Sequence, residues 1–419
     1  METGSATSPV VLSDDLFFEV LSFLNVKSLM KLKCVAKSWN SLISHPTFIK
    51  SHCLRSKRNP HITLSLASFN HYYDKSVIPF PLTRLLNNPL IKIPHDPYYQ
   101  LSKKDCCFIV GSCNGLLCLL RHDNTENPKD STFTARIMFR LWNPATKTLS
   151  NKIQIRWRKF INPPFGFVMY HFAFGYDFST DIYKAVVYFT LGSVTMVKIF
   201  DLSLGDSVGR RIEDFPVVPL SYKARRPWVN EGVYISGTVN WMATKNKLKH
   251  DWIIDITIDQ FVIVSLDLRT ETFSQLLLPR GFDKVPHVEP SISVLMDSLC
   301  FSHNIDEKYF VIWQMKEFGV QESWIQLLKI SYGTIRNVFD PKIYCTEWVS
   351  YCRFMFMHPL CFSENGDTLM LACDCRKHPK HAILYNLRDN SAVNTRITNH
   401  IHWLRTKNYV ESLVPTHWN

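Results

Sequence analysis

Four segments of this chain repeat one grammar, and that repetition restricts the fold more than any other feature. They are Leu141-Trp-Asn-Pro-Ala-Thr-Lys-Thr-Leu149, Ile199-Phe-Asp-Leu-Ser-Leu-Gly-Asp-Ser207, Ser265-Leu-Asp-Leu-Arg-Thr-Glu-Thr-Phe273 and Leu384-Tyr-Asn-Leu-Arg-Asp-Asn-Ser-Ala392. Each reads as a strand end, an Asp or Asn, a polar turn and a return strand. Asx side chains accept from their own downstream backbone, which suits a hairpin turn. The spacing is uneven, 58 residues from Asn143 to Asp201 and 66 from there to Asp267, so insertions differ between units. Alternating Ile62, Leu64 and Leu66 already show strand period, and beyond Asp105 short strands and turn signals continue with no long helical pattern.

Repeating four-stranded units of this size predict a propeller. Roughly 350 residues divide into about six to eight blades at kelch-like periods. A pair of β-sandwiches or an irregular stack of sheets remains the alternative. In a propeller, the strand at Ile62 to Leu66 is expected to pair with the C-terminal strand and close the ring, removing an exposed edge.

The N-terminus has a different period. Ser13 is placed to cap a helix whose first turn holds Asp14 and Asp15, favourable at the positive end of the dipole. Leu16, Val20, Leu21 and Leu24 follow on one face. Asn25 marks a break; Val26, Leu29 and Leu32 belong to a second short helix, and Val35, Trp39, Leu42 and Ile43 to a third, stopped at His45-Pro46. Three helices this short cannot bury their own apolar faces, so a partner or neighbouring domain must complete the core.

These residues, with Leu12, Asp15-Leu16, Glu19-Val20-Leu21, Lys27-Ser28-Leu29, Lys37-Ser38-Trp39 and Phe48, resemble the F-box, which attaches receptors to the Skp adaptor of cullin–RING ubiquitin ligases. Two positions depart from it, Ser13 and Asn25, where family members often carry proline. The resemblance implies an adaptor-binding set of Leu12, Leu16, Val20, Leu21, Leu24, Val26, Leu29, Leu32, Val35, Trp39, Leu42 and Ile43. Further on, Gly111-Ser-Cys-Asn-Gly-Leu-Leu-Cys-Leu119, Trp142-Asn-Pro-Ala-Thr146, Phe174 to Lys184, Ser236 to Ala243, Ser265 to Pro279 and Tyr409 to Val414 resemble the plant F-box-associated domain, which is kelch-like. The likeness weakens between Arg280 and Pro359. The implied layout is a tail at 1–9, an F-box at 10–52, a linker with the first strand or strands at 53–104, and a propeller-like domain at 105–419. Gly111 and Gly115 are expected to flank a turn needing φ > 0, and Trp142 and Trp241 to pack between blades.

Composition places further bounds. The hydrophobic fraction of 46% and charged fraction of 20% are those of a globular protein. No run reaches the ~18 apolar residues of a membrane span. The 12 cysteines lack framework spacing, there is no Asn-x-Ser/Thr sequon and no signal peptide precedes Pro9, so a reducing cytosolic or nuclear location is expected. The net charge of +12 is dispersed in clusters such as Arg55-Ser-Lys57-Arg58, Arg210-Arg211, Arg225-Arg226 and Lys245 to Lys249, without a nucleic-acid-binding motif.

Catalytic signatures are equally scarce. No phosphate loop, dinucleotide fingerprint or His-Glu-x-x-His occurs. Gly205-Asp-Ser207-Val-Gly209 has the letters of a nucleophile elbow but no room for the helix that motif requires. Cys361, Cys373, Cys375, His378 and His381 could supply zinc ligands, although Cys373 and Cys375 fall on one strand face as core residues would. Cys106 and Cys107 point to opposite strand faces. No cofactor is expected. The F-box resemblance implies a non-catalytic receptor subunit of a ubiquitin ligase, joining the Skp adaptor to an unidentified protein target. A scaffold or competitor that never delivers a target, and a lectin-like or small-ligand sensor, are the other readings.

Overall fold

The computed structural model describes residues 13–67, 75–87, 96–127, 132–159, 170–191, 194–220, 231–245, 256–306, 308–336, 338, 355–374, 381–395 and 401–417. Leu12, the tail at 1–9, Arg225-Arg226, Cys375 and His378 lie outside them. The described residues form a helical N-terminus and a six-bladed β-propeller.

Four helices open the chain: α1 (Asp14–Leu21), α2 (Val26–Leu32), α3 (Lys37–Ser44) and α4 (Pro46–Ser56). The Ser13 hydroxyl accepts from Leu16 N at 3.4 Å, and Asn25 Oδ1 accepts from Ser28 N at 2.8 Å, making Asn25 the N-cap of α2 as well as a break. Pro46 ends one helix and starts another: at N1 its missing N–H costs nothing. The fourth helix was not foreseen, and it runs through the boundary expected after residue 52.

Blade 1 pairs His61–Ala67 with Lys75–Pro81, and the C-terminal strand Asn408–Tyr409 joins His61–Ala67 antiparallel, His61 opposite Tyr409. This is the expected ring closure. Blade 2 comprises Phe108–Cys113, Leu116–Asn127, Thr132–Asn143 and Thr148–Leu149, with Ile153–Lys159 also on its third strand. Blade 3 comprises Tyr170–Asp177, Ile182–Leu191, Val194–Asp201 and Arg210–Arg211. Blade 4 runs through Val233–Ile235, Thr238–Thr244, Phe261–Asp267 and Phe273–Leu276, with Val218–Pro219 beside its second strand. Blade 5 comprises Ser291–Leu295, Ser298–Ile305, Tyr309–Met315 and Trp324–Ser331, and blade 6 Phe356–Phe362, Thr368–Asp374, His381–Asn386 and Ser391–Asn394.

One apolar core fills each gap between neighbouring blades. Trp142 lies between blades 1 and 2, Phe139 between 2 and 3, Trp241 between 3 and 4, Phe301 between 4 and 5, Leu371 between 5 and 6, and Met370 between 6 and 1. Both tryptophans are fully buried, in the packing role expected of them.

The recurring Asp or Asn marks the end of the third strand in four blades, and in three of them it makes an Asx turn. Asn143 Oδ1 accepts from Ala145 and Thr146 N, Asp267 Oδ1 from Arg269 and Thr270 N, and Asn386 Oδ1 from Arg388 N. Asp201 differs: its carboxylate holds Arg210 at 2.8 and 3.0 Å, and Asp206 makes the local turn. At Asn114-Gly115 both residues have positive φ, 49° and 78°, as a tight hairpin requires. Gly111 does not; it sits in a strand where an added Cβ would lie 3.2 Å from Phe174 Cβ, so close approach selects it.

Three buried histidines give the propeller an acid-sensitive interior. Burial holds His171, His303 and His358 down at about 4. Trp313 Nε1 donates to His303 Nε2 at 3.1 Å, which requires that nitrogen unprotonated. These groups are neutral when folded and titrate near 6.5 when unfolded, so stability falls as pH drops from about 6.5 toward 4, by about 3 kcal/mol per group. Glu231 opposes this: burial raises it to about 7, so folding gains from its proton between there and its ordinary range. Three outweigh one. Thermal melts are expected to be markedly lower at pH 4.5 than at pH 7.5, and equal midpoints would contradict this.

Candidate functional site

The first-to-second and third-to-fourth turns of antiparallel blades emerge on one face of the ring. The helices sit there. Lys50 pairs with Asp181 in a blade 3 turn at 3.7 Å, and Lys57, after α4, with Asp297 in a blade 5 turn at 3.1 Å. Both pairs are exposed and worth little in energy, but they mark the turns beside which α4 lies.

The apolar contact carries more. Leu21, Val26, Leu29, Ile43 and Phe48 form a core with Leu413 from the chain's end, and Ala145 packs against it. The propeller thus completes the core that three helices could not. Asn143 is fully buried and its Nδ2 donates to Ser412 O and Val414 O, both at 2.9 Å. At Gly115 an added Cβ would lie 2.3 Å from Ser412 Oγ. Two sequence motifs therefore converge to hold the segment that presents Leu413. From α4, buried His52 contacts Leu24 O at 2.9 Å through Nε2, and Arg55 donates to the Glu19 carboxylate at 2.6 Å, tying α1 and α2 down.

The structure divides the residues implied as adaptor-binding. Leu21, Val26, Leu29 and Ile43 are covered, inside the core shared with Leu413. Leu24, Leu32, Trp39 and Leu42 are half-buried against that core. Leu16, Val20 and Val35 are exposed at 45%, 55% and 68%. Phe23 and Met30 are exposed too and were not in the set. Phe23 continues the α1 stripe of Leu16 and Val20 at helical spacing, a signal that the sequence did carry.

At the other end of the ring is a cavity of about 170 Å³. Phe108 begins the first strand of blade 2, Tyr170 that of blade 3, and Glu231 precedes that of blade 4, so their end lies away from the helices. Arg405 and Lys407 enter from the C-terminal segment, and the Arg405 guanidinium lies over the Phe108 ring at 5.3 Å. Nothing in the sequence signalled this cluster, because its members come from four distant segments.

The remaining chemical candidates disperse. Cys361 lies in the core between blades 6 and 1 and Cys373 in that between 5 and 6, on opposite sides of one sheet. No cluster with metal-ligand geometry occurs among the described residues. Ser207 is exposed in the Asp206 turn, with a two-residue strand and no helix after it. Burial raises Cys106 to about 12, leaving it a thiol. No helix among the described residues is long and apolar enough to cross a membrane.

Comparison with known proteins agrees with this architecture. Residues 11–51 match the F-box domain and residues 66–416 the F-box associated beta propeller domain. The chain belongs to the family of F-box proteins with an F-box-associated propeller. In Arabidopsis thaliana it is similar to F-box/kelch-repeat protein At3g23880, 28% identical over 339 residues that cover 78% of this chain and 82% of the relative. It is also similar to F-box protein CPR1, 24% identical over 386 residues covering 87% and 79%. The kinship supports a plant F-box protein.

Proposed function

We propose that this chain is the target-selecting subunit of a Skp–cullin–F-box ubiquitin ligase, with no catalytic centre of its own. The observation that carries this reading is the division of faces. An apolar stripe of Leu16, Val20 and Phe23 is exposed, with the Arg55 guanidinium over the Phe23 ring at 4.4 Å, on helices that share a core with one face of the propeller. The stripe docks a Skp-type adaptor, and the opposite face takes the target. Because the helices share a core with the ring, a target is held at a set distance from the adaptor, and lysines near the ubiquitin carrier react through raised effective concentration. The ligase works in the cytoplasm or nucleus.

The test has two parts: purification of the full chain from cells under proteasome inhibition, then reconstitution of the ligase with the partner recovered. Ubiquitin transfer to that partner that requires this chain is the expected result. A partner that binds and is never modified would make the chain a scaffold and overturn the proposal.

A further inference from the structure

The cavity at the far mouth of the ring combines one carboxylate, two cations and aromatic walls, drawn from blades 2, 3 and 4 and the closing segment. Its size limits the occupant. A cavity of about 150 Å³ lined by apolar side chains accepts benzene, and this one measures about 170 Å³. Phe108, Tyr170 and Phe172 supply apolar wall, so a flat ring or a branched stem fits.

The polar groups specify the other end. Lys407 and Arg405 lie close enough to Glu231 to pull its proton affinity down against burial. Yet among the described residues neither Glu231 nor Lys407 makes a side-chain hydrogen bond or ion pair. Charges that attract without touching have space between them. Among those residues the Lys407 ammonium has no such partner, and an incoming anion supplies one with charge-assisted hydrogen bonds. An ammonium would meet those same cations and be repelled.

From this geometry we propose that the cavity binds a carboxylate carried on a ring-sized apolar stem, with Lys407 and Arg405 holding the carboxylate and Glu231 accepting a hydrogen bond from any donor beside it. One chemistry, two sources: a free aromatic acid, or the carboxyl end of a target chain with an aromatic last residue. Adaptor docking does not enter, so this inference and the ligase reading fail separately.

Calorimetric titration of the full chain with benzoate tests it, with benzyl alcohol and benzylamine as uncharged and cationic matches. Benzoate is expected to saturate, and the alcohol and amine to bind at least roughly tenfold more weakly. Lys407→Met should weaken benzoate by a similar factor with an unchanged melting curve, since Lys407 serves blade 1 through its backbone. Glu231→Gln removes the opposing charge and should leave benzoate binding equal or tighter. Competition by a peptide ending in a free Phe carboxylate, and not by its amide, assigns the source to a chain end; no competition assigns it to a free acid. No saturation by benzoate, equal binding of the alcohol, or an unaffected Lys407→Met protein overturns the proposal.

Discussion

Deleting residues 409–419 is expected to destabilise the whole chain by more than about 4 kcal/mol, because that segment closes two cores at once. Tyr409, buried to 2% exposure, belongs to the core between blades 1 and 2 and stands opposite His61 in the closing sheet. Leu413, at 5%, fills the core beneath the helices. A Leu→Ala change in a core alone costs about 2–5 kcal/mol. The deletion also strips both acceptors from the buried Asn143 amide, an added cost of about 1–3 kcal/mol for an unsatisfied polar group. Urea unfolding of the full chain and the truncated chain measures the difference. Leu413→Ala separates the parts: it should speed hydrogen exchange in α1 to α3 while the blades keep their protection. Unchanged unfolding after truncation would mean that the ring is held elsewhere.

Lys184→Met should cost about 3–5 kcal/mol, the second large effect. The Lys184 ammonium is enclosed between blades 3 and 4, donating to Asp177 Oδ2 and Glu271 Oε1 at 3.0 Å each and to Leu268 O. Burial pushes the Asp177 carboxyl up, but hydrogen bonds from Ser179, Lys184 and Thr180 win and hold it well below the usual carboxylate range. Arg210 braces Glu271 from the other side, at 2.6 Å through Nε. Removing the lysine leaves a carboxylate buried to 1% without its counter-charge. Arg280→Gln is the contrast: its pair with Glu322 has side chains 81% and 66% exposed, and its loss should cost under about 1 kcal/mol. Chemical denaturation of the two variants side by side gives the comparison. Similar small losses in both would show that the enclosed network is not what joins these blades.

Much of the architecture is legible in the sequence. The Asx turns at Asn143, Asp267 and Asn386 act as their sequence implies, since an Asx side chain bonding its own backbone is a local event. The pairing of His61–Ala67 with the chain's end was also foreseeable, because a propeller has to remove its edges. What escaped was long-range. Whether Val26 or Val35 is covered depends on where α4 and Leu413 come to rest, and helical periodicity does not contain that. Asp201 has the letters of a turn residue but spends its carboxylate on Arg210, a partner that arrives with the next strand. The cavity was least legible of all, since Phe108, Glu231 and Lys407 become neighbours only when the ring closes.

The central claim is that the helices present an adaptor-docking face while the propeller holds them in place. Calorimetric titration of a Skp-type adaptor into the full chain tests it most directly, using wild type and Val20→Asp. Val20 is 55% exposed, so the variant should melt as wild type does. Wild type is expected to bind one adaptor per chain, and Val20→Asp to bind at least roughly tenfold more weakly by placing a charge in an apolar contact. A folded wild-type chain that does not bind the adaptor, or a Val20→Asp protein that binds equally well, would contradict the account.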